Sequence, residues 1–146
     1  MSAAAKLPLL QRCRQQAQDT YNARLAELKT IEPMLARLDE AVPVFERHGL
    51  VIDPERISYT RRQVGEQWVR VLRITTSWLY NSATSTRWLA AMLDAGFQVV
   101  KIEGADGRYP LAIVRRGHLR VCIDITPDDA AQLSARMPAA AEKEAA

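Results

Sequence analysis

The stretch Tyr109-Pro-Leu-Ala-Ile-Val-Arg-Arg-Gly-His-Leu-Arg-Val-Cys-Ile-Asp-Ile125 decides the class of this fold. Leu119, Val121, Ile123 and Ile125 alternate with Arg120, Cys122 and Asp124, the period of two expected of a strand with one buried face. Gly117-His118 is a hairpin-turn pair, so 109–116 and 119–125 read as adjacent antiparallel strands. Upstream, Ala105-Asp106-Gly107-Arg108 is a second turn sequence and 97–103 a third strand, which makes this part a meander.

On the C-terminal side, Thr126-Pro127-Asp128-Asp129 is a helix start: a hydroxyl cap, proline at the first position, and acids against the positive end of the dipole. Ala130, Leu133 and Met137 give this helix a narrow apolar stripe and Pro138 stops it. The segment 138–146 is expected to be a disordered tail.

Further upstream, 57–62 and 67–76 are rich in Ile, Val, Tyr, Thr and Trp and flank Gly65, so they read as a hairpin. The polar run 81–86 leads into a helix of about three turns, with Trp88, Leu89, Met92 and Leu93 on one face and Gly96 at its end. Trp68 shares strand parity with Leu72 and Ile74, which places it in the expected core.

Residues 7–48 read as helix, with no glycine before Gly49. Ile31, Leu35, Leu38, Val42 and Phe45 form one apolar seam at helical spacing, and Leu10, Cys13, Ala17, Tyr21, Leu25 and Leu28 a less regular stripe before it. A proline inside a helix costs about 3 kcal/mol through a lost hydrogen bond and a ring clash, so Pro33 marks a break or kink between a helix near 7–31 and one near 33–48. His48-Gly49 closes the second helix.

The expected architecture is therefore α+β, in the order α-α-β-β-α-β-β-β-α. A helical arm over residues 1–50, two helices with a break or kink at Pro33, precedes an α+β module over 51–137 with a mostly antiparallel sheet of about five strands and two helices.

The 146 residues are 48% hydrophobic and 25% charged, enough to bury a core without disulfides. Cys13 and Cys122 lie in unrelated contexts, which argues against a disulfide framework. No run approaches the roughly 20 apolar residues of a membrane span and the first residues do not read as a secretory leader, so a soluble, cytoplasmic protein is expected. Of the 20 basic residues only four are Lys. With heavy Ala use, this matches a bacterial-type, high-GC composition and weakens any argument from arginine number alone.

Catalytic chemistry finds little support. His48 reads as a helix-end residue and His118 as part of a turn, neither beside an activating group. The nucleophile-elbow, phosphate-loop, zinc-protease and dinucleotide motifs are all absent, so no cofactor, metal or catalytic residue is expected. His118 and Cys122 are four residues apart on a strand, about 13 Å, too far to share one zinc.

Two binding readings remain. In the first, the protein is a non-catalytic interaction or accessory protein. It associates with itself, a dimer being the first expectation, or with a protein partner, through Ile31, Leu35, Leu38, Val42 and Phe45, with Trp78 and Tyr80 as aromatic anchors. In the second, the basic strands hold a DNA or RNA backbone through Arg61, Arg62, Arg70, Arg73, Arg115, Arg116 and Arg120. Across 56–73 and 107–120, nine arginines meet the single acid Glu66. Tyr59, Trp68 or Tyr109 stands at the margin. Strand alternation splits the set, since Arg61 and Arg62, or Arg115 and Arg116, cannot share a face.

Overall fold

In a computed structural model that describes residues 7–76 and 82–137, the alternating segments build one five-stranded sheet. Its strands are β1 (Ile57–Val64), β2 (Gln67–Ile74), β3 (Gln98–Glu103), β4 (Leu111–Arg116) and β5 (Leu119–Asp124), in the spatial order β1-β2-β5-β4-β3. Among the described residues four α-helices accompany it: α1 (Leu9–Asp39), α2 (Val42–Arg47), α3 (Ser82–Asp94) and α4 (Pro127–Arg136). The α+β class and the order α-α-β-β-α-β-β-β-α are as the sequence predicts.

The chain divides into two compact units, one ending at Pro33 and the other beginning at Met34. The helix runs through Pro33, and the interruption expected there lies instead at Glu40 and Ala41. Pro33 is exposed, so the Lys29 carbonyl that loses its N–H donor faces water rather than an apolar interior. Further on, Pro43 can offer no N–H to Asp39. The chain tightens there into a turn, with the Ala41 N–H donating to Leu38 O at 2.9 Å, before α2 begins.

In the unit from Met34 onward, α2 and α3 each close on a glycine. The Leu50 N–H donates to Phe45 O at 2.9 Å and the Phe97 N–H to Met92 O at 3.0 Å, the six-to-one bond of a Schellman end. His48 Nε2 lies 2.9 Å from Asp94 Oδ2 and joins the two helix ends. At α4, Thr126 Oγ1 accepts from the Asp129 N–H at 3.0 Å, as its sequence signature predicts.

The meander β3-β4-β5 is antiparallel throughout, and so is β1 with β2. The two hairpin systems meet in one parallel ladder, where Leu72, Arg73 and Ile74 face Val121, Cys122 and Ile123. α3 supplies the crossover that a return to the far edge of the sheet requires.

Both faces of the central strands are buried. On one side Leu72, Ile74, Leu119, Val121 and Ile123 lie on the face to which the helices bring Phe45, Trp88, Leu89 and Met92. The Phe45 and Trp88 rings sit 5.3 Å apart in a tilted contact. On the other side Val64, Val71, Val100, Ile113 and Cys122 form a second cluster, flanked by Val69 and Leu111.

This second cluster is enclosed because the sheet curls. Its two edge strands are joined by Arg62 Nη1 to Glu103 Oε2 at 2.9 Å and by Lys101 Nζ donating to the Gln63 carbonyl at 2.6 Å. A β-bulge between Val99 and Lys101 bends β3 at this point. Among the described residues no helix is long and apolar enough to cross a membrane.

Candidate functional site

The β1–β2 hairpin carries the most polar, least covered part of the sheet. It turns at Gly65, whose φ of +64° is a conformation that a side chain makes costly. The register sets Arg61 opposite Arg70, Gln63 opposite Trp68, and Tyr59 opposite Leu72, all on the side the helices cover further along.

Helix cover does not reach this end. β2 pairs with β5 only from Leu72, so Gln67 to Val71 extend past the ladder. Trp68, expected in the core from its parity with Leu72 and Ile74, is therefore corrected to a surface position, 61% exposed. The parity is right; the cover over that part of the face is missing.

Arg61 and Arg70 are both exposed, and among the described residues neither meets a carboxylate within ion-pair distance. The Arg70 guanidinium lies 5.9 Å from the centre of the Tyr59 ring, within cation–π range. Like charges directly opposite one another weaken a hairpin, so this pair does not serve the fold.

The remaining basic-strand residues have other surroundings. Arg62 is bound to Glu103, with its Nε buried and lacking a hydrogen bond among the described residues. Arg73 Nη2 meets Asp124 Oδ1 at 2.6 Å and its Nη1 donates to Ile74 O at 2.9 Å, while Asp124 Oδ2 accepts from the Thr76 N–H at 2.9 Å. Arg115 and Arg120 stand opposite each other on the second face, and Arg116 stands opposite Leu119 on the first. Burial, and then the neighbouring Arg115 charge, hold Arg120 below the ordinary guanidinium range. The structure thus brings Arg61 and Arg70 together and occupies Arg62 and Arg73 in internal ion pairs.

The apolar seam is divided as well. Ile31, Leu38 and Phe45 are buried, whereas Leu35 and Val42 are half-buried and line a cavity of about 390 Å³ with Leu50, Ile52 and Ile57. Trp78 and Tyr80 lie outside the described residues, as does the segment 138–146. The stripe upstream is the exposed one: Leu10 is 61%, Tyr21 59% and Leu25 47% exposed along α1.

Cys122 sits inside the second cluster, where burial pushes its thiol up to about 11, and Cys13 is exposed on α1. His118 is exposed in the β4–β5 turn, apart from the buried Cys122, and no group of three His, Cys, Asp or Glu side chains suited to a metal occurs among the described residues. Comparison with known proteins gives no match, either to a family model or to a curated relative.

Proposed function

We propose that the protein is a non-catalytic interaction protein that pairs with a second copy of itself through the exposed part of α1. The supporting observation is that residues 7–30 are helical from Leu9 onward and exposed almost throughout, although they carry Leu7, Leu10, Tyr21 and Leu25. A helix is stabilised chiefly by packing of its apolar face, and an isolated one is marginal in water. A stripe of this length calls for a partner.

A second copy is the partner we propose because a heptad frame can be laid along this helix. Within α1, Arg14, Tyr21 and Leu28 fall at one seam position and Leu10, Ala17 and Arg24 at the other, while Cys13 and Leu25 of the stripe lie beside the seam. Arg14 and Arg24 would meet their own copies in a parallel pair. An antiparallel pair centred between Gln15 and Gln16 instead sets Arg14 against Ala17 and Tyr21 against Leu10 of the second chain, which separates the like charges.

Circular dichroism over a dilution series tests this reading. Helix content is expected to fall on dilution of the wild type, and to be low and independent of concentration in Tyr21→Glu. Helix content that stays constant on dilution and unchanged in Tyr21→Glu would overturn it.

A further inference from the structure

We propose that the outer face of the β1–β2 hairpin, formed by Tyr59, Arg61, Trp68 and Arg70, is a binding surface for single-stranded nucleic acid. The inference stands on the unit from Met34 onward and does not depend on how α1 pairs.

The arginines of the sheet separate by use. Arg62 and Arg73 are consumed in ion pairs with Glu103 and Asp124. Arg61 and Arg70 face each other in the open, with Glu66 in the adjoining turn making no ion pair to either among the described residues. Two cations held opposite each other at the fold's expense complement an anion lying across both strands.

The aromatic rings select the kind of polyanion. Trp68 lies two residues from Arg70 on the same face of β2, about 7 Å along the strand, and is 61% exposed. Tyr59 lies beneath the Arg70 guanidinium on the other flank. An indole beside a guanidinium plane offers stacking surfaces at the same place as phosphate contacts, the combination that holds unpaired bases. A duplex keeps its bases stacked on one another, and an acidic peptide has no flat group for the indole. No base-reading motif is present, so the surface should tolerate any sequence.

Anisotropy of a labelled oligo-dT, titrated with the full chain, tests the assignment. Two phosphate contacts to a single strand predict a loss of about sevenfold in affinity between about 50 and about 200 mM salt. Trp68→Ala is expected to weaken binding about tenfold, and Arg61→Ala with Arg70→Ala to weaken it and flatten the salt dependence, while Arg136→Ala on α4 leaves it unchanged. Thermal melting of the arginine double variant should match or exceed the wild type, because opposed charges have been removed. The proposal is overturned by no binding at low salt. It is equally overturned if Trp68→Ala binds as well as wild type, or if heparin or an equal-length duplex competes on equal terms. The Tyr21→Glu chain should still bind the oligonucleotide, which separates this test from that of α1 pairing.

Discussion

Cys122 illustrates how burial of one small group writes itself into stability. Its side chain is fully buried among Val64, Val71, Val100 and Ile113, and its thiol is raised from 9.0 to about 11 by desolvation. Between those values the unfolded chain ionises at this position and the fold does not. The contribution is therefore fully present below pH 9 and is lost as the pH rises through about 11, to the extent of about 2–3 kcal/mol. Urea denaturation at stepped pH should show this decline, and Cys122→Ala should lack it. Asp124 makes the complementary case. It holds Arg73 at 2.6 Å and the Thr76 N–H at 2.9 Å, and both ion-pair side chains are less than a fifth exposed. Asp124→Ala leaves a cation without its partner at a largely buried site and is expected to cost about 3 kcal/mol, while Asp124→Asn, which keeps an acceptor for Thr76, should cost less. Chemical denaturation of the two variants side by side measures the difference.

At the scale of elements, what could be read from the sequence was local. Thr126 to Asp129 spell out the start of α4 and the structure caps it with the expected bond. Alternation in 119–125 puts Cys122 and Asp124 on one face and Val121 and Ile123 on the other, and parity alone separates Arg61 from Arg62. Features that depend on distant chain were not legible. Pro33 reads as a break or kink because its ring and missing N–H are local facts, whereas its exposure, which lets water satisfy the freed carbonyl, is not. The exposure of Trp68 follows from where the β2–β5 ladder stops, and the parallel pairing that sets that limit joins segments almost fifty residues apart. The arginine ion pairs to Glu103 and Asp124 likewise join strands that no sequence spacing connects. One of them yields a prediction about strands: Glu103→Ala should unfasten β3 from β1. The expected cost is about 1–3 kcal/mol for a lost charge-assisted bond, with faster amide exchange concentrated in β1 and β3. Uniform acceleration across the sheet would contradict that picture.

Among the described residues two surfaces stand out as left unsatisfied by folding. One is the apolar stripe of α1, the other the cationic, aromatic face of the hairpin, and each belongs to a different unit of the chain. Elsewhere two apolar clusters pack on the two faces of a curled sheet, helix ends are closed by backbone bonds, and Arg62 and Arg73 are matched to acids. We propose that a protein with these two surfaces acts by holding other molecules, and its pairing through α1 is the part of that proposal on which the rest chiefly depends. Sedimentation equilibrium on the wild type and on Leu10→Glu with Tyr21→Glu tests it most directly. The wild type is expected at a mass approaching twice 16.4 kDa and the variant at the single-chain mass with its sheet intact; a wild type that stays at the single-chain mass across the concentration range would refute pairing through α1.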